Sequence, residues 1–319
     1  MQFFYYILIL LFASLFSQNI LVAKEIPKIT QTWQEPNLKQ IPAGKEGELI
    51  RYGIEILSQT SSITGPYAPD KKLRYSRNNL NCINCHEGGH SKLPGTKPYS
   101  IPFINVINEY PKLDIKTGKT ISLEDRVRGM FGQGEEIIQN DSKEMRAILG
   151  YFTWLNNTVK AKEPIKGTSL LKLNPISRAA DPIRGKIIYQ KQCASCHGIE
   201  GLGIKNSEFN QGAGYLYPPL AGNDTYDDNG HMYLIPTLAA FIYANMPLGS
   251  TYKNPTLTQE QSYDVAAYIN SDLPRLHNPN IKFSYPNPNF RPQGFAPSEQ
   301  FSEDEQAAYK KAKFGPFFK

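Results

Sequence analysis

The four cysteines of this chain fall into two pairs, each three residues apart and each followed at once by histidine: Cys82-Ile83-Asn84-Cys85-His86 and Cys193-Ala194-Ser195-Cys196-His197. Two thiols at that spacing add across the two vinyl groups of one haem, and the adjacent His is carried beneath the iron as its proximal ligand. A chance match arises on the order of once per thousand sequences of this composition, so two matches that consume every cysteine point to two covalently attached c-type haems. Competing uses of the same residues are disulfides, a zinc site drawing on all four thiols, or a redox dithiol. Neither zinc nor dithiol chemistry requires His directly after both pairs.

The elements around the motifs repeat, which predicts two copies of one helical unit. The first copy opens with a helical pattern over 44–57 and the second with one over 182–191, entered by Asp181 as N-cap with Pro182 at the first helical position. Gly53 and Gly185 sit inside these helices, where Ala would be favoured by about 1 kcal/mol, and close approach of another helix explains their presence. A second helix closes each copy. Asp141 with Glu144 reads as a cap pair before 145–155, and Thr258 with Gln261 as a capping box before 263–269, so Tyr151 and Tyr268 correspond.

This order resembles the small class I cytochrome c domain, whose first and last helices cross at a Gly-to-aromatic contact. The resemblance implies a mainly α fold: tandem class I cytochrome c domains with long loops and an extended C-terminal tail. It also implies sixth iron ligands. In that family a Met ahead of the last helix commonly serves, and here Met130 lies 21 residues before Tyr151 and Met246 lies 22 before Tyr268. The ligand sets expected are therefore His86 with Met130 and His197 with Met246. A Met off the helices otherwise fills gaps in a core. His231 and Met232, ahead of a predicted helix at 236–244, are alternative ligands or switch partners for the second haem. His90 is expected on the proximal side or in solvent, Met145 in the core, and His277 solvated in a Pro-rich tail. Pro218-Pro-Leu-Ala-Gly222 resembles the loop that lends a Pro carbonyl to the proximal His, here His197, and in the first copy Pro98 or Pro102 is expected to do the same.

Further motifs resemble the dihaem thiosulfate dehydrogenase family over roughly residues 45–319: Arg51-Tyr-Gly53, Ser142-Lys-Glu-Met-Arg-Ala147, Tyr217-Pro-Pro-Leu220, Asn245-Met-Pro-Leu-Gly249, Asp264-Val-Ala-Ala-Tyr-Ile-Asn270 and Phe314-Gly-Pro-Phe317. The resemblance implies periplasmic joining of two thiosulfates to tetrathionate at the first haem, with electrons leaving through the second. The family carries a Cys thiolate as distal ligand of its first haem, in a stretch resembling Asp125-Arg126-Val127-Arg128-Gly129-Met130-Phe131; here Met130 stands in its place, followed by Gly132-Gln133-Gly134 instead of Glu-Arg-Ser. An anionic thiolate lowers the iron potential and a neutral thioether raises it. Lys71, Lys72, Arg74, Arg77, Arg126 and Arg128 flank this region and offer either a cationic approach for a sulfur oxyanion or acidic partner, or a solvated basic face. Arg126 alone matches the family pattern as an oxyanion contact. Two readings follow: a dihaem electron carrier working with a redox partner protein, or a thiosulfate dehydrogenase/tetrathionate reductase-type enzyme.

The chain is 319 residues long, 40% hydrophobic and 12% aromatic, enough for buried cores in two domains. Gly and Pro, 24 each, suit a loop-rich fold completed by a large cofactor. Its formal charge of +6 is scattered rather than clustered, which argues against nucleic acid as a partner, and the propionates of two haems would reduce it to about +2. An apolar run at residues 3–16 reads as the core of a signal peptide cleaved after Ala23, or as an uncleaved anchor, the one case in which the chain would meet a membrane. Either way the body is exported to the periplasm. The expected plan is a leader at 1–23, an extension at 24–43, cytochrome domains at 44–160 and 179–273 joined by a linker at 161–178, and a tail at 274–319 ending in a short helix capped by Ser302 and Glu305.

Overall fold

Eight α-helices and two short hairpins carry the described part of the chain. The computed structural model describes residues 33–159, 165–228, 230–275, 304 and 312–317. The leader, His277 and the helix expected after Ser302 lie outside those residues. The helices are α1 (Gly44–Ser58), α2 (Thr60–Thr64), α3 (Leu123–Phe131), α4 (Lys143–Thr158), α5 (Pro182–Gln192), α6 (Ala194–His197), α7 (Ile235–Asn245) and α8 (Gln259–Ser271). β1 (Lys112–Asp114) pairs antiparallel with β2 (Lys119–Ile121), and β3 (Ile204–Lys205) with β4 (Tyr215–Tyr217). No described helix is long and apolar enough to cross a membrane. The fold class is mainly α, as the sequence implied.

Helix crossings organise two hydrophobic cores. α1 crosses α4 where a Cβ on Gly53 would stand 2.1 Å from the Ala147 carbonyl oxygen and 3.1 Å from Tyr151 Cβ. α5 crosses α8 in the same way, with a Cβ on Gly185 falling 1.9 Å from the Asp264 carbonyl oxygen and 3.0 Å from Tyr268 Cβ. At both crossings the backbones touch, which only glycine permits. The first core gathers Ile50, Ile56, Ile104, Met145, Ile148, Tyr151 and Leu155; the second gathers Tyr189, Leu238, Val265, Tyr268 and Ile269. Met145 is wholly buried, as expected of a core residue. Segments outside the expected domain spans contribute too: Trp33 and Ile41 join the first core, and Leu173, Ile176 and Phe317 the second.

Local signals set the helix ends. The Thr258 hydroxyl accepts from Gln261 N while the Gln261 side chain accepts from Thr258 N, the capping box expected for α8. Asp181 caps α5 by accepting from Ile183 N and Arg184 N. The start of α4 differs from expectation: Ser142, not Asp141, is the N-cap and accepts from Met145 N at 3.1 Å. α3 was not anticipated, although Ser122 and Asp125 form a full capping box at its head.

The two cores belong to one compact unit, Gln31–Lys319. Arg77 donates from its guanidinium to the carbonyls of Asn223 at 2.9 Å and Thr225 at 3.1 Å, Asn79 donates to Asp224 at 3.1 Å, and Asn245 donates to the Tyr99 carbonyl at 3.0 Å. The rings of Tyr99 and Tyr252 pack with centroids 4.7 Å apart.

Candidate haem centres

Each Cys-x-x-Cys-His motif winds into a single helical turn. His86 N donates to the Cys82 carbonyl and His197 N to the Cys193 carbonyl, both at 2.9 Å, so each His emerges on the same side as its two thiols. Thr60 braces the first motif from α2: its hydroxyl accepts from Cys82 N at 3.0 Å and lies 3.2 Å from Cys82 Sγ. The loops that leave the motifs are tied back alike, Gly95 N to the His86 carbonyl at 2.7 Å and Gly203 N to the His197 carbonyl at 2.9 Å.

The imidazoles are oriented from behind. His197 Nδ1 lies 2.7 Å from the Pro218 carbonyl oxygen, the bond expected from the Pro218-Pro219 loop. His86 Nδ1 lies 2.5 Å from the carbonyl oxygen of Ile101. Neither Pro98 nor Pro102 supplies this acceptor, because a left-handed backbone at Ile101 (φ +54°) turns the intervening carbonyl toward the ring. Holding Nδ1 at a carbonyl leaves Nε2 as the metal-facing nitrogen on both rings. Burial lowers the pKa of His86 to about 4, opposed by the Ile101 bond and aided by Arg126, and burial also lowers that of His197. Both rings are thus neutral at pH 7, the form that ligates iron.

All four thiols are free, and burial raises Cys85 to about 12 and Cys193 to about 11. Among the described residues no group of three or more His, Cys, Asp or Glu is placed to hold a metal ion. Paired free thiols with one neutral, Nδ1-anchored imidazole per motif form the donor set that a covalent haem requires.

The structure places the other candidates as follows. Met130 lies in the last turn of α3 rather than on a loop, and at 54% exposure it is not filling a core gap. Met246 is the C-cap of α7, half-buried against the second core. Of the six flanking cations, Arg74 is committed to the Ala68 carbonyl and Glu135, Arg77 to the second core's loop, and Arg128 to Asp125, the Ile138 carbonyl and Asn140. Arg126 forms no ion pair among the described residues and stands within electrostatic reach of His86, Lys116 and His231. His231, just ahead of α7, stands within electrostatic reach of Lys116, Arg126, Asp114 and Lys112. Met232 packs against the second core. His90 is exposed, its backbone N–H donating to Glu35.

Residues 183–272 match the family of cytochrome c. The chain is 34% identical to a thiosulfate dehydrogenase of Stutzerimonas stutzeri over 241 residues, 75% of this chain and 72% of that protein. The chain belongs to the thiosulfate dehydrogenase family. A second member, from Allochromatium vinosum, is 29% identical over 77% of this chain and 85% of its own length. Among solved structures, the as-isolated thiosulfate dehydrogenase of Marichromatium purpuratum superposes with a TM-score of 0.63 at 26% identity; the match covers 76% of this chain but 50% of that one. Membership makes the protein a c-type cytochrome that binds haem and transfers electrons.

Sequence reasoning missed several residues that shape these centres. Thr60, Tyr99 and Ile101 carry no motif. Asn245 was visible only as the neighbour of Met246.

Proposed function

We propose that the chain is an exported dihaem cytochrome c whose two domains, 44–160 and 179–273, move electrons between their haems and a redox partner protein in the periplasm. One observation carries this reading: all four cysteines lie in the two Cys-x-x-Cys-His motifs, so haem attachment at both would leave no thiolate to ligate iron. His86 and Met130 would hold the first iron, His197 and Met246 the second. Haem supplies a reversible one-electron couple. The chain fixes each imidazole from its Nδ1 side, and with Met130 and Met246 each haem would be held by a neutral imidazole and a neutral thioether, a set that would favour the reduced iron and suit electron exchange over bond-making.

A second reading is favoured by Arg126 and by the names of the relatives. A guanidinium with no ion pair among the described residues, within electrostatic reach of His86 and Lys116, suits a sulfur oxyanion, and in that role the chain would join two thiosulfates oxidatively into tetrathionate, passing the electrons to the haems.

Visible and near-infrared spectra of the holoprotein test the ligand sets. Met130→Ala and Met246→Ala should each remove one sulfur-to-iron charge-transfer contribution. Thiosulfate and tetrathionate assays then divide the readings. Robust turnover by the wild type would sink the carrier reading, whereas activity found only in Met130→Cys would show that the ligand change removed it.

A further inference from the structure

The segment that presents the Ile101 carbonyl to His86 is a strained strap. Tyr99 (φ +62°) and Ile101 (φ +54°) both occupy the left-handed region, which a β-branched residue such as Ile seldom enters. Such a conformation persists only where its surroundings hold it. Three contacts grip the strap at Tyr99: its N–H donates to the Gly167 carbonyl at 2.9 Å, its carbonyl accepts from Asn245 Nδ2 at 3.0 Å, and its ring packs on Tyr252 at 4.7 Å. Two of the three, from Asn245 and Tyr252, come from the span 179–273.

Asn245 is 1% exposed and immediately precedes Met246. Its Nδ2 spends one hydrogen on the Phe241 carbonyl at 3.0 Å, closing the end of α7, and the other on Tyr99. Its Oδ1 is buried and has no partner among the described residues. The amide orientation is therefore fixed by its donors, since a flip would turn Oδ1 toward two carbonyl oxygens. A buried acceptor left unsatisfied is unfavourable, and its retention is explained if the two donated bonds are what the position must supply.

We propose that Asn245 is a positioning residue that locks the Met246 loop of the second haem to the strap orienting the proximal His86 of the first, so that the two haem potentials are set jointly. The inference rests on the dihaem reading above. Its physical content is a chain of contacts from Met246 through the Asn245 amide to Tyr99, and from there along two residues of backbone to the acceptor of His86 Nδ1. If Asn245 ceases to donate, the strap relaxes, the Ile101 carbonyl withdraws, the imidazole becomes a poorer electron donor, and the first haem's midpoint potential rises.

The experiment is a spectroelectrochemical titration of the holoprotein as wild type, Asn245→Leu and Asn245→Asp. The first haem is identified by the midpoint that falls in Met130→Cys, and haem content is fixed beforehand by pyridine haemochrome. Asp preserves the volume but presents only acceptors to both carbonyls, so both variants should raise the first haem's midpoint although the change lies on the second haem's ligand loop. A merely structural role would lower stability and leave that midpoint in place. Two haems per chain with an unmoved first midpoint overturn the proposal. Fewer than two haems in the wild type would overturn the dihaem reading instead. Should the Asn245 variants fail to fold, Tyr252→Leu loosens the same strap with Asn245 intact; an unmoved first midpoint there also overturns it.

Discussion

Gly53→Ala tests the backbone contact between α1 and α4 that frames the first centre. The added Cβ would lie 2.1 Å from the Ala147 carbonyl oxygen and 2.7 Å from its carbon, with Tyr151 Cβ at 3.1 Å. Carbon and carbonyl oxygen meet comfortably at about 3.3 Å, so the helices must part by roughly 1 Å. Neither side offers a flexible side chain to swing aside, because both obstacles are helical backbone. Overpacking of this kind costs about 3 kcal/mol at the upper end, and Ala recovers about 1 kcal/mol of helix propensity, leaving a net loss of about 2 kcal/mol. For a unit of this size that lowers Tm by roughly 4–8 °C. Gly150→Ala is the matched control: it lies in α4, and its nearest neighbour beyond the helix is Leu49 Cδ2 at 3.9 Å. It should stabilise by roughly 0.5–1 kcal/mol. Thermal unfolding of both holoproteins, followed by circular dichroism and haem absorbance, reads the difference. A Gly53→Ala protein as stable as the wild type, or a Gly150→Ala protein that loses as much, would refute the reasoning.

Asp264 is 2% exposed, accepts two bonds from Arg178 at 2.7 and 2.8 Å and one from Asp181 N at 2.8 Å; Asp264→Asn should lose about 3 kcal/mol in denaturant titration by breaking a pair whose carboxylate is buried. Burial, with help from Arg275, lowers the Lys313 pKa from 10.5 to about 8, so between those values the unfolded chain binds the additional proton and stability rises with pH. Below pH 8 the penalty is fully present, and Lys313→Met should abolish this rise when unfolding is measured from pH 7 to about 10. Arg77→Ala removes the guanidinium bonds to the Asn223 and Thr225 carbonyls; partly exposed, they are worth about 1 kcal/mol, and amide exchange across 223–228 should quicken while α8 stays protected.

What was legible in the chain followed from chemistry that is local in sequence. Cys-x-x-Cys-His spacing is set by the haem vinyl groups, capping boxes by orphan N–H groups within one turn, and Gly53 and Gly185 stood out because glycine inside a helix is unfavourable without a reason. Ser122 and Asp125 carry the same kind of signal for α3, which went unread until the structure showed the helix. Ser142 outcompeted Asp141 because cap geometry is decided within a single residue, finer than sequence patterning resolves.

The sequence by itself determined the donors: four thiols, two imidazoles and, as proposals, two thioethers, all identified by side-chain type at fixed spacing. Tertiary structure decided what surrounds them. The acceptor for His86 is a main-chain carbonyl, a group every residue possesses, so only the left-handed turns at Tyr99 and Ile101 could select it over the flanking prolines. Likewise six flanking cations look alike in sequence, and only folding brings carbonyls and carboxylates to Arg74, Arg77 and Arg128, whereas Arg126, within electrostatic reach of His86, forms no ion pair among the described residues. Partner choice depends on distance in space, which spacing along the chain encodes only within a turn or two of helix.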